Sequence, residues 1–177
     1  FHERSLDGDF GLALALDVQA ALRPDLRLLV MSATIDGARV ASLLGDAPVI
    51  RSEGRSYPVD VRYRERSADR QIEDAVADAI RAAVSEEPGS ILAFLPGQRE
   101  IERTAERLEG RLPSDCTVFR LFGAMEAKDQ DEAIRAVDKG RKIVLATSIA
   151  ETSITIDGVR IVIDSGLSRL PRYEPAT

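Results

Sequence analysis

Residues 142–164 read KIVLATSIAETSITIDGVRIVID, and this stretch decides the fold. The apolar runs KIVL and VRIVID at its two ends are typical of buried strands. Between them, residues 146–157 hold an unusual density of small polar groups, namely the hydroxyls of Thr147, Ser148, Thr152, Ser153 and Thr155 and the carboxylates of Glu151 and Asp157. A polar loop between two buried strands indicates a segment that does more than pack.

Segments of strand and helix character alternate on the N-terminal side of this loop. SILAFLP and CTVFRLFG have strand character, and three helical repeats separate the strands. This order predicts an α/β fold with a doubly wound parallel sheet. The helical repeats run through Ile72, Val76, Ile80 and Val84, then Ile101, Ala105 and Leu108, then Gln130, Ile134 and Val137, the last one ending near Gly140.

The first part of the chain has a different pattern. Phe10, Leu14 and Val18 share one face of a predicted helix that ends near Pro24, and LRLLVMSAT predicts a strand covered on both faces. Alternation in VDVRYRE then favours a hairpin or an extended connector. We therefore predict a partial first domain at 1–47, a connector at 48–66 and a second domain at 67–177.

Composition restricts the class of protein. The 177 residues carry a net charge of -6 and 44% hydrophobic residues, which suffices for a real core. No apolar run approaches ~18 residues and no leader is evident, so we expect a soluble, intracellular protein with no membrane contact. With Cys116 as the single cysteine and His2 as the single histidine, we expect no disulfide and no metal site, and Cys116 should pack in the core.

Four polar stretches follow predicted strands, and ligands of open α/β sheets bind beyond the carboxyl ends of strands. Hydroxyls and free amides suit phosphate oxygens, so an acidic protein could hold a nucleic-acid backbone locally without bulk positive charge. The alternative is that these hydroxyls cap turns and helices. Both interpretations stay open for the stretches at 32–34, 96–100, 122–126 and 147–153.

No GxxxxGK[ST] and no GxGxxG occurs in the chain, which argues against an independent NTPase. The segments FHERS, MSAT, ILAFLPGQREI and LATSIAETSITIDGVRIVIDSGLSR nevertheless resemble, in order, successive motifs of the DEAH-box ATP-dependent RNA helicases. The bacterial HrpB type, whose second motif reads DEFH, is the most similar. The resemblance implies a remnant of a first RecA-like domain followed by a second RecA-like domain that stops before the arginine-rich sixth motif.

The resemblance also implies roles for individual residues. His2 would link the nucleotide site to the RNA side, and Ser32, Ala33 and Thr34 would couple hydrolysis to unwinding. RNA contacts would fall to Gly97, Thr147, Ser148 and Thr152, and ribose contacts to Thr155 and Asp157. Where this chain has Ser148 the family commonly has asparagine, which reaches further than serine.

The activity implied is ATP-driven movement along single-stranded RNA in the cytoplasm. ATP and Mg²⁺ would bridge two RecA-like domains, and the missing first domain would be the partner of this one. We expect no tightly bound cofactor and no ATPase activity in this chain alone. Two alternatives are a stand-alone α/β interaction module without a nucleic-acid role and a phospho-acceptor receiver domain, although the strand ends lack the acidic cluster that a receiver needs.

Overall fold

The structure is a computed structural model that describes residues 5–31, 37–52, 54, 57–67, 69–135, 137, 139–151 and 156–169. The chain divides into two compact units, Phe1–Val61 and Arg62–Thr177. This division falls within the segment 48–66 that the sequence marks as a connector.

The first unit contains helix α1 (Leu6–Ala21) and the short helix α2 (Gly37–Leu43), of which only α1 is predicted from the sequence. Ser5 caps α1, because its hydroxyl accepts a hydrogen bond from the Gly8 amide at 3.0 Å. The apolar side chains of α1 are exposed within the described residues, with Phe10 at 63% and Leu14 at 50%. They are not confined to one face of the helix, so the single apolar face predicted from the sequence is wrong, and they have no cover in the described part of this unit.

The strand predicted in LRLLVMSAT is wrong for the residues that the structure describes, which are 26–31. They form no ladder, and Leu29 and Met31 are 80% and 73% exposed. A strand needs a neighbour for its backbone groups, and none of the described residues of the first unit supplies one. Residues 57–67, which the structure describes, contain no paired strand and hence no hairpin.

The second unit is built on a parallel sheet, as the sequence predicts. Its described residues form four strands in the order β2-β3-β1-β4, with all pairings parallel. The strands are β1 (Ser90–Phe94), β2 (Cys116–Leu121), β3 (Arg141–Ala146) and β4 (Val159–Asp164). Helix α3 (Ile72–Glu86) precedes β1, α4 (Gln98–Leu108) joins β1 to β2, and α5 (Ala127–Ile134) joins β2 to β3.

The central strands β1 and β3 are buried on both faces. Ile91 and Ala93 pair with Ile143 and Leu145, and this face packs against α3 and α4. The intervening residues face the other way and join the α5 side, where Leu92, Val144 and Ala146 contact Ala133 and Leu121. This alternation is what continuous apolar strands produce in a doubly wound sheet. Cys116 is a free, half-buried thiol packed against the core between the sheet and helices α3 and α4.

A buried carboxylate fastens α3 to α4. Glu73, only 2% exposed, lies in the first turn of α3 and accepts a hydrogen bond from Arg103 Nη1 at 3.2 Å, with Arg107 Nη2 3.9 Å away. Arg107 also pairs with Asp74. Burial alone would raise the pKa of Glu73, but backbone amides and the two guanidiniums lower it below its ordinary value of 4.5.

We expect Glu73→Gln to destabilise the domain by about 1–3 kcal/mol, because it leaves buried donors without their anion. Since the folded pKa of Glu73 is lowered, its stabilisation is present above the unfolded pKa and is lost as the pH falls through the folded value. Urea unfolding of both proteins at about pH 7 and about pH 3 measures this, and the difference should shrink in acid. Glu106→Gln, at an exposed position of α4, is the control. An equal loss from both substitutions would contradict the assignment.

Helix α5 ends at Ile134, earlier than the predicted end near Gly140, because a buried lysine caps it. Lys142 is fully buried in β3, and its Nζ donates to the Glu132 carbonyl at 3.2 Å and to the Arg135 carbonyl. The Phe119 ring centroid lies 4.6 Å from the same ammonium. Burial lowers the pKa of Lys142, whereas the negative charges of Glu132 and Asp157 oppose that shift. The ammonium thus serves the carbonyls that a helix terminus leaves unpaired.

Replacing Lys142 with Met should preserve the volume and remove the cap. We expect the last turn of α5 to open more often, with amide exchange rising about tenfold and stability falling by about 1–2 kcal/mol. Hydrogen exchange followed by mass spectrometry on peptides covering 130–137 measures the effect. Lys128→Met, at an exposed position in the first turn of α5, is the matched control. Unchanged hydrogen-exchange protection in the Lys142 variant would contradict the assignment of Lys142 as the cap of α5.

Candidate nucleic-acid interface

The carboxyl ends of three strands are aligned by backbone hydrogen bonds that continue past the strands. The amide of Leu95 donates to Ala146 at 2.8 Å, and that of Thr147 donates to Leu121 at 3.1 Å. The amide of Ser165 donates to Phe94 at 3.2 Å. The first residues beyond β1, β3 and β4 therefore lie along one edge, called the carboxyl edge below. This is the edge at which open α/β sheets bind ligands.

Thr147 and Ser148 lie at this edge, at the start of a short 3₁₀ turn, Ser148–Ala150. Thr147 occupies the N-cap position, yet its side chain makes no capping hydrogen bond. The turn is closed by the backbone instead, with the Glu151 amide donating to the Ser148 carbonyl at 2.9 Å. Neither hydroxyl has a hydrogen-bond partner among the residues that the structure describes.

Gly97 also lies at the carboxyl edge, buried at the N-cap of α4. Its φ of -173° is extended backbone that any residue can adopt. Space explains the glycine instead, because a Cβ there would lie 3.0 Å from Arg169 Nε and 3.0 Å from Glu100 Oε2. A guanidinium and a carboxylate thus occupy the volume that a side chain at this position would need.

The pair of Glu100 and Arg169 is a feature that sequence analysis missed. Arg169 Nη2 donates to Glu100 Oε1 at 3.0 Å and to Oε2 at 3.3 Å, joining residues 69 positions apart. Glu100 is 15% exposed and Arg169 is 63% exposed. No local spacing connects them, and only the order of the parallel sheet brings the loop after β4 to the start of α4.

Asp157 lies at the opposite edge, just before β4, and is exposed. It borders a cleft of about 320 Å³ together with Ser90, Arg141 and Gly158. The Arg141 guanidinium is fully engaged there, donating to the carbonyls of Val84, Glu87 and Gly89 at 2.6, 2.7 and 2.9 Å. The structure thus separates Asp157 from Gly97, Thr147 and Ser148, which it brings together.

Six predicted site residues lie outside the described residues, namely His2, Ser32, Ala33, Thr34, Thr152 and Thr155. Within the described residues, no group of three or more His, Cys, Asp and Glu side chains could hold a metal ion. Over that same part of the chain, no helix combines the length and the apolar character needed to cross a membrane.

Residues 72–175 match the sequence profile of a known family, the helicase conserved C-terminal domain. The chain belongs to this family. The match begins at the first residue of α3, so it contains the whole sheet and its carboxyl edge. The prediction of a DEAH-box type of helicase domain is confirmed by the individual relatives.

The chain is 51% identical over 178 residues to the ATP-dependent RNA helicase HrpB of Escherichia coli, and the match covers all of this chain and 22% of that protein. It is 39% identical over 181 residues to the E. coli ATP-dependent RNA helicase HrpA, covering 99% of this chain and 14% of HrpA. The crystal structure of the E. coli DEAH/RHA helicase HrpB superposes with a TM-score of 0.87 at 50% identity, over 98% of this chain and 22% of that one. The chain thus spans less than a quarter of these relatives.

Gly97→Ala tests whether position 97 is determined by space. We expect the alanine to displace the Arg169 guanidinium while costing less than about 1 kcal/mol, because the backbone is unstrained and the neighbours are ends of flexible side chains. The Arg169 Nε–H resonance in ¹⁵N NMR reports the displacement. Gly123→Ala is the control, since a Cβ there meets only Ile149 Cδ1 at 3.9 Å. An unmoved Arg169 resonance in Gly97→Ala would contradict the steric explanation.

Proposed function

We propose that this chain is the second RecA-like domain of an ATP-dependent RNA helicase of the DEAH type, preceded by a remnant of the first at 1–47. The observation that carries the proposal is the convergence of Gly97, Thr147 and Ser148 on the carboxyl edge of a helicase C-terminal domain. The relatives named HrpB and HrpA are ATP-dependent RNA helicases, which supports the same activity for the parent of this chain.

The carboxyl edge suits a nucleic-acid backbone. Thr147 and Ser148 offer hydroxyls that the described residues leave unused, and hydroxyls donate to phosphate oxygens without adding charge. Such donors are compatible with a net charge of -6, which argues against holding RNA by bulk attraction. We propose that these two residues, with Thr152 and the Gly97 backbone, contact phosphates and sugars of single-stranded RNA.

The nucleotide would meet the domain elsewhere. We assign the ribose hydroxyls to Thr155 and Asp157, the latter placed at the opposite edge of the sheet. ATP with Mg²⁺ would be shared with the first RecA-like domain, and His2, Ser32, Ala33 and Thr34 would couple the two sites. The segment 147–157 would then contact RNA near its first residues and the nucleotide near its last. A conformational change on hydrolysis could therefore reach the RNA contacts through one continuous stretch of backbone. A cytoplasmic location accords with this activity.

The test is a fluorescence titration of a short single-stranded RNA with this chain at low salt. The double variant Thr147→Ala, Thr152→Ala should bind about tenfold more weakly, because two hydrogen bonds to phosphates are lost. Thr117→Ala removes an exposed hydroxyl of β2 and serves as the matched control. Since hydroxyls release no counterions, the log-log salt slope should stay the same in the double variant. Equal affinities for all three proteins would contradict the assignment of the hydroxyls, and no binding by any of them would contradict an RNA role for this chain.

A further inference from the structure

We propose that Arg169 is a phosphate ligand at the carboxyl edge, and that Glu100 positions its guanidinium and offsets its charge. The inference rests on the proposed RNA binding and extends it to a residue pair to which the resemblance assigns no role. Its basis is the position of the guanidinium, the donors that it leaves unused and the burial of its partner carboxylate.

The loop after β4 is shaped to bring Arg169 back over the sheet edge. Ser165 is fixed by its hydrogen bond to Phe94, and the Gly166 amide donates to Asp164 Oδ1 at 2.8 Å. Gly166 has a φ of 67°, a left-handed conformation that favours glycine. The chain therefore turns sharply as it leaves β4, and Arg169 reaches the first turn of α4 beside Gly97.

The guanidinium at this position is only partly engaged. Only its Nη2 contacts Glu100, and within the described part of the chain Nε and Nη1 have no acceptor. The side chain is 63% exposed. Nε and Nη1 diverge and do not form one fork, but each is a charged donor on an accessible edge and suits a phosphate oxygen.

The contrast with other arginines of the unit strengthens the assignment. Arg141 donates to three backbone carbonyls at the edge of the sheet opposite the carboxyl edge. Arg103 and Arg107 contact the buried Glu73 between α3 and α4. These three side chains hold the fold together. Arg169 instead lies beside the edge that carries Gly97, Thr147 and Ser148, and among the described residues its donors contact no carbonyl.

Glu100 has two effects on such a contact. Its carboxylate, 15% exposed, holds the guanidinium over Gly97, which fixes where a phosphate could sit. It also places a negative charge within reach of that phosphate, and at a separation of about 6 Å in water this repulsion weakens binding about threefold. Glutamine at this position keeps an acceptor for Arg169 and removes the repulsion.

The experiment compares single-stranded RNA binding by wild type, Arg169→Ala, Glu100→Gln and Arg111→Ala over a series of salt concentrations. Arg169→Ala should weaken binding about tenfold and make the log-log salt slope shallower by about 0.7, the value for one phosphate contact on a single strand. Glu100→Gln should bind about threefold more tightly. Arg111→Ala removes the same charge from an exposed loop before β2 and should change neither quantity appreciably.

The outcomes separate this inference from the function on which it rests. If wild type binds RNA and Arg169→Ala binds with the same affinity and slope, Arg169 is not a ligand, while the proposed function stands. If wild type does not bind, both fail. A lower affinity in Arg169→Ala with an unchanged slope would indicate a structural role only and would overturn the proposal. Urea midpoints of all four proteins establish whether each is folded, and the 63% exposure of Arg169 makes the loss of its side chain compatible with an intact fold.

Discussion

The two-sided burial of β1 and β3 is the constraint on which the rest of the second unit depends. Each of these strands sends alternate side chains to opposite helical layers, so the register between them fixes which residues meet α3 and α4 and which meet α5. A shift by one residue would exchange the two layers and would move the fully buried Lys142 to the wrong side of the sheet. The parallel register also sets the carboxyl edge, since it makes the strands end at the same level.

Much of this arrangement could be predicted from the sequence. The central strands have continuous apolar sequences, and the helices have apolar residues at intervals of about four. Those patterns predict the sheet and the three helices that accompany it. They also predict that Gly97, Thr147 and Ser148 lie just beyond the carboxyl ends of strands. The family resemblance rests on the same segments and agrees with the matched relatives.

The remainder depended on contacts between distant residues. The C-terminal end of α5 is capped by Lys142. Nothing in the sequence KIVL predicts that the ammonium of this lysine is buried or that it contacts a helix end. The ion pair of Glu100 and Arg169 joins residues that no spacing relates. The strand expected in LRLLVMSAT was wrong over 26–31 for the opposite reason: a local apolar run predicts a strand, but only a neighbouring strand can supply its hydrogen-bond partners.

The glycine at position 97 has an evolutionary consequence. Its backbone would accept any residue, and only the guanidinium of Arg169 and the carboxylate of Glu100 occupy the space. The effect of a side chain at position 97 therefore depends on distant positions: alanine or serine there displaces nothing in a relative with short side chains at 100 and 169, but it displaces the guanidinium where arginine is present. The residue types at positions 97, 100 and 169 should thus covary among relatives, because their side chains compete for the same space.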